Sequence, residues 1–119
     1  MQCRGIRGAI TASANNKDSI IAATKKLLIE MTQANKIEIK DIAAIFFSTT
    51  SDLNAEFPAA ATRELGWSPN LALFCGHEMN VPTNLPHCLR ILMLVNTTKG
   101  SEEIRHVYLG KAKNLKNKP

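Results

Sequence analysis

Arg90 lies inside the apolar run 89–95 (LRILMLV), and that placement limits what the run can become. The run is too short for a membrane span, which needs about 18 consecutive apolar residues. It reads instead as an interior strand. Side chains alternate along a strand, so Cys88, Arg90, Leu92 and Leu94 share one face and Leu89, Ile91, Met93 and Val95 the other. A guanidinium among apolar neighbours is costly unless an anion meets it. Arg7, between Ile6 and Gly8-Ala9, poses the same problem near the start of the chain. With Glu78 between them in sequence, two guanidiniums that do not easily reach water point to a pocket for a small anion. The plainer readings are a snorkelling edge arginine or an internal ion pair for Arg90, and an ordinary charged strand end for Arg7.

A chain of 119 residues makes one domain, 1–119, with a single modest core. Its 45% hydrophobic and 21% charged residues are ordinary for a soluble globular protein. Three cysteines, Cys3, Cys75 and Cys88, form no spaced framework, which favours a reducing compartment. Arg4 and Arg7 interrupt any signal-peptide segment, so a cytoplasmic location is expected. The net charge of +5 gathers partly in the tail, at Lys111, Lys113, Lys116 and Lys118. The six aromatics do not interleave with basic residues as stacking platforms for nucleic acid would. Neither nucleic acid nor membrane is an expected partner.

Residues 2–10 read as a first strand, and Asn15 or Asn16 can cap a helix over 17–34. Ile20, Thr24, Leu27, Leu28 and Met31 form its buried stripe. Residues 42–49 are a second strand, and Pro58 opens a short helix over 58–65. Strands are expected at 71–75, 89–97 and 106–109, with 76–86 a loop and 110–119 a flexible tail. The order β-α-β-α-β-β-β gives an α+β fold, a mixed sheet with helices on one face. So small a core favours self-association that covers sheet edges or faces.

Cys75-Gly76-His77-Glu78-Met79 offers other chemistry. With thiol and imidazole expected to diverge along the strand, a Cys75–His77 nucleophile pair is not favoured. Cys75, His77, His87 and Cys88 lack any familiar metal-ligand spacing. Glu78, close to Arg7 and Arg90, would pair with them and accept a ligand hydroxyl. Tyr108, the only tyrosine, is as readily a core residue as a site residue.

Five segments in order carry a resemblance: RGIRGA at 4–9, DLNAEFPA at 52–59, Cys75 with Glu78-Met79, Cys88-Leu89-Arg90, and IRHVYL at 104–109. Together they resemble the monofunctional chorismate mutases of the AroH class, across residues 2 to about 115. The resemblance implies a homotrimer with a barrel-like core and active sites at the subunit interfaces. It implies a pericyclic rearrangement of chorismate, the small-molecule substrate, to prephenate in phenylalanine and tyrosine biosynthesis, with no cofactor, metal or covalent intermediate. In that comparison Arg90 matches the residue facing the ether oxygen, where negative charge develops. Arg7 and Tyr108 match residues that hold the side-chain carboxylate. Glu78, with the backbone at Cys75, matches the contact for the ring hydroxyl. Phe57, Ala59, Leu73, Phe74 and Leu115 match wall positions, and Arg63 a basic residue at the mouth. Whether Arg7 and Arg90 meet across an interface is left to complementation between chains lacking one or the other.

Ala60 stands where relatives can carry lysine, Phe74 where a small polar residue is familiar, and Lys116 where a tail arginine is expected. These alter the rim and leave the innermost set intact. Two other readings fit an anion pocket in a small trimer: an enzyme like the trimeric enamine/imine deaminases, and a non-enzymatic anion-binding trimer.

Overall fold

Asn16 keeps an extended backbone, and its side-chain oxygen accepts the Ser19 N–H at 2.8 Å. That bond satisfies one of the free donors at the start of helix α1 (Lys17–Asn35) in the structure, a computed structural model that describes residues 1–82 and 84–115. Ile20, Ile21, Thr24, Leu27, Leu28 and Met31 are buried along one side of α1. The helix stops where Lys36 turns left-handed (φ 53°) and its N–H bonds back to Gln33 and Thr32.

Among the described residues five strands form one mixed sheet: β1 (Gln2–Thr11), β2 (Ile42–Thr49), β3 (Ala72–His77), β4 (Cys88–Thr97) and β5 (Val107–Tyr108). Their order across the sheet is β3-β2-β4-β1-β5. The long central strand β4 runs antiparallel to both β1 and β2, while β3 and β5 add parallel edges. Ile6, Ile10, Ile45, Phe47, Leu89, Ile91, Met93 and Val95 form the buried face, packed with Leu27, Leu28 and Met31 of α1. The short helix α2 (Ala60–Glu64) adds Ala61 to the same core. Gly8 is required where β1 meets α1, because a Cβ there would stand 2.5 Å from Met31 Sδ and 3.2 Å from Leu27 Cδ1.

No helix among the described residues covers the other face of the sheet. Phe46, Leu92 and Phe74 lie on it with exposures of 41%, 40% and 66%, and Phe46 and Phe74 meet edge to face at 6.3 Å. Burying apolar area is worth roughly 25 cal/mol per Å², so such a face has a strong tendency to be covered.

Several boundaries differ from expectation. β3 runs on to His77 because Ser48 and Thr49 continue to pair with Gly76 and His77. Pro58 precedes α2 rather than opening it, its carbonyl accepting the Ala61 N–H. β5 is two residues long, because side chains take the backbone groups on its N-terminal side. Gly110–Leu115 forms a 3₁₀ turn with Ala112 buried.

Candidate active site

Strand pairing gathers the charged residues. Ala9 pairs with both Arg90 and Tyr108, and Arg7 with Leu92, so the open-face side chains of β1, β4 and β5 converge at one end of the sheet. Arg7, Arg90 and Tyr108, with Ser48 and Phe46 of β2, line a depression of about 260 Å³. The guanidiniums are less confined than their apolar neighbours lead one to expect. Arg7 is exposed and the Arg90 side chain is 34% exposed, since this face of the single chain is uncovered.

Glu78 follows β3 directly, and its N–H extends the ladder by donating to Thr49 O at 2.9 Å. Its carboxylate is held from both sides. Oε1 accepts the Arg90 Nε–H at 3.2 Å, and Oε2 accepts the Asn84 side-chain amide at 3.0 Å. The side chain is only 15% exposed, so the pair is partly shielded from solvent.

Phe57 and Cys75 lie elsewhere. With Thr49, Leu53, Pro58 and His77 they line a second depression of about 360 Å³. By alternation Thr49, Cys75 and His77 belong to the helix-covered side of the sheet, opposite to Arg90 and Ser48. Leu73 follows that side at the sheet edge, whereas Phe74 lies on the open face beside Phe46. Ala59 packs against the core next to the second depression, and Arg63 is exposed on α2. Leu115 closes the 3₁₀ turn, and Lys116 lies outside the described residues. The expected residues thus form two groups on opposite faces, and one chain does not bring them together. Arg7 and Arg90 belong to the same group in the same chain, so they do not require an interface to meet.

Cys75 and His77, two apart on one strand, share a face rather than diverging. The pairing still has little nucleophilic character. Burial pushes the Cys75 thiol up, outweighing a hydrogen bond to the Ala59 backbone, so it stays protonated. His77 Nδ1 is engaged with Thr49 Oγ1 at 3.0 Å. Cys88 is pushed up to about 11 by burial, with the Arg90 charge opposing it only in part. Among the described residues no group of three His, Cys, Asp or Glu is placed to hold a metal ion.

Asn84 and His106, both polar and close to the site, carry no assignment from the sequence. Asn84 orients Glu78 from within a loop, where nothing in the local pattern marks it. His106, inside the IRHVYL segment, accepts the Arg7 backbone N–H through Nδ1 at 2.9 Å; its place two residues before Tyr108 was the available signal.

A mixed sheet with one helix-covered face and a paired-guanidinium cleft on the other defines a class that comparison identifies. Residues 3–118 match the chorismate mutase type I family, and the chain belongs to it. It is similar to the AroH chorismate mutase of Thermus thermophilus, 41% identical over 114 residues that cover 95% of this chain and 93% of that one. The AroH chorismate mutase of Bacillus subtilis (strain 168) is 40% identical over 111 residues, covering 93% and 87%. A solved chorismate mutase structure from Clostridium thermocellum superposes with a TM-score of 0.91 at 49% identity, covering 94% and 99%. The protein is accordingly an isomerase of aromatic amino acid biosynthesis that converts chorismate to prephenate. Family membership decides against the deaminase-like and non-enzymatic readings.

Proposed function

We propose that the rearrangement takes place where the Arg7–Arg90–Tyr108 depression of one chain is closed by the Phe57–Cys75 depression of another, in a homotrimer. The observation that carries this reading is the convergence of two guanidiniums and a phenol on one cleft, with Glu78 bonded to Arg90. Its support for assembly is the bare apolar face around that cleft, which carries Phe46, Phe74 and Leu92, and the location of Phe57, Ala59 and Leu73 on the far side of the same sheet.

Chorismate is a dianion, and in its rearrangement the carbon–oxygen ether bond breaks as a carbon–carbon bond forms in the same molecule. No proton is transferred. Negative charge grows on the ether oxygen as its bond lengthens, so a fixed guanidinium at that point favours the transition state over the ground state. Arg90 has this role. Arg7 and Tyr108 hold the side-chain carboxylate, and Glu78 with the Cys75 backbone takes the ring hydroxyl. Phe57, Ala59, Leu73, Phe74 and Leu115 confine the substrate to its compact conformer, where reacting carbons are already close. Arg63 and Lys116 supply positive charge at the mouth, and Leu115 with Lys116 closes over the substrate. The chain 1–119 works as one domain in the cytoplasm; no described helix is long and apolar enough to cross a membrane.

Following the absorbance of chorismate with purified protein tests the reading. Loss at a rate proportional to enzyme, with prephenate as sole product, is expected of the parent and not of Arg90→Ala. Equal rates for the two would overturn the site assignment.

A further inference from the structure

We propose that His106 is a positioning residue: its neutral imidazole, by accepting the Arg7 backbone N–H through Nδ1, fixes Arg7 relative to Tyr108 across the β1–β5 edge. This inference rests on the reading that Arg7 and Tyr108 bind the substrate.

The parallel ladder between β1 and β5 has only two pairs, Gly8 with Val107 and Ala9 with Tyr108. So short an edge is weak unless its ends are anchored. Beyond Tyr108, the Leu109 N–H donates to Ala9 O at 2.9 Å. Before Val107 the main chain is diverted toward α1. The Asn35 side chain, fully buried, accepts the Arg105 N–H through Oδ1 at 2.7 Å and donates through Nδ2 to Arg105 O at 2.9 Å. With the backbone of Arg105 committed to Asn35, the next ladder position at Arg7 is filled by a side chain. His106 Nδ1 takes the Arg7 N–H at 2.9 Å, extending the ladder by one bond.

A backbone N–H can only donate, so Nδ1 must carry a lone pair and the ring proton resides on Nε2. Protonation removes the acceptor and sets a donor against a donor. It also places a second cation beside Arg7. The described residues around it offer the imidazolium no carboxylate. Among the described residues, the charged groups beside it are all cationic: Arg7 from β1, Arg105 from the preceding residue and Lys113 from the 3₁₀ turn, with Ala34 of α1, Val107 and Tyr108 also lining the depression. Partial desolvation, and then the Arg7 charge, hold the imidazole below its ordinary value, in line with a group that works in its neutral form.

His106 does not line the arginine cleft; it acts through Arg7. The test uses full-length enzyme and chorismate, with folding checked by thermal melting. His106→Leu removes the acceptor and should lower kcat/KM by roughly three- to tenfold at neutral pH, mostly through KM. His106→Asn carries an acceptor oxygen at the Nδ1 position and cannot titrate, so it should recover most of that loss. As pH falls below the ordinary imidazole range, kcat/KM of the parent should drop while His106→Asn stays level. In an Arg7→Ala background, His106→Leu should cost nothing further, because the residue through which it acts is gone. A His106→Leu enzyme equal to the parent, a His106→Asn enzyme as poor as His106→Leu, or a full additional loss on Arg7→Ala would each overturn the inference alone. An Arg7→Ala enzyme equal to the parent would instead overturn the reading of the site, and the inference with it.

Discussion

Glu78 Oε1 accepts the Nε–H of Arg90 at 3.2 Å, so the carboxylate engages the guanidinium by its inner nitrogen. The planar fork beyond it can then serve another acceptor. A single preorganised donor is worth roughly 10²–10³ in rate, and a charge-assisted bond is about twice as strong. Arg90→Ala should lower kcat/KM by roughly 10⁴-fold with the fold retained. Arg90→Lys should recover only part of it, because an ammonium cannot bond Glu78 and the substrate with one rigid plane. Steady-state kinetics on chorismate decide; rates within tenfold of the parent would remove Arg90 from its role.

Complementation follows from the location of the two depressions. Mixing chains that carry Arg90→Ala with chains that carry Phe57→Asp should rebuild about a quarter of the sites if, as proposed, each site draws one half from each of two neighbours in a closed ring. Mixing Arg7→Ala with Arg90→Ala should rebuild none, because both residues line the same depression of one chain. Activity after unfolding and co-refolding measures both. Recovery in the second mixture and not the first would mean that the halves are wrongly assigned.

The C-terminal segment needs a cut that respects its packing. Ala112 is buried, so truncation after Leu109 removes core contacts along with any lid. Truncation after Leu115 should raise KM several-fold with kcat nearly kept, the sign of lost uniform binding. A fall in kcat at constant KM would place the residues beyond 115 in the chemistry instead.

Two groups with lowered pKa values contribute to the acid limb of stability. Burial raises the Asp52 carboxyl, but bonds from the Thr50 hydroxyl and the His87 N–H, with the His87 charge, outweigh it and hold it below 3.8. His106 is held below 6.5. In both cases the unfolded chain binds more protons in the window between the two pKa values, so stability rises with pH there. The His106 contribution is complete above about pH 6.5 and is lost below it; the Asp52 contribution is complete above about pH 3.8 and is lost on further acidification. Thermal melts from pH 8 to pH 3 should therefore weaken in two stages, and His106→Asn should abolish the first. Asp52→Ala should lower the neutral-pH melting temperature by roughly 4 °C through lost hydrogen bonds. The turn rate itself should stay level across neutral pH, because the rearrangement moves no proton.

Alternation and caps were readable at a distance from any structure. Asn16 caps α1 as its position implies, and the two faces of β4 fall as the pattern of Leu89, Ile91, Met93 and Val95 requires. What escaped depends on long-range pairing. The length of β5 is decided by Asn35, 70 residues before Arg105, and no local propensity reports such a bond. The division of the site into halves depends on Phe46 standing opposite Phe74 and Phe47 opposite Cys75, which puts consecutive residues of β3 on different sides of the sheet. Sequence order alone places Cys75 and Glu78 together, whereas the pleat assigns Cys75 to one depression and Glu78 to the partner of Arg90.

Ser48 and Thr49 are joined by one peptide bond, yet Ser48 borders the arginine cleft and Thr49 borders the cavity behind the sheet. In the proposed ring, β2 is therefore a party wall between two reaction chambers. A displacement of that strand by a fraction of an ångström enlarges one chamber as it narrows the next. Because each chamber takes its arginine side from one subunit and its far wall from another, a substitution on β2 present in all three subunits would re-centre every chamber rather than change its size.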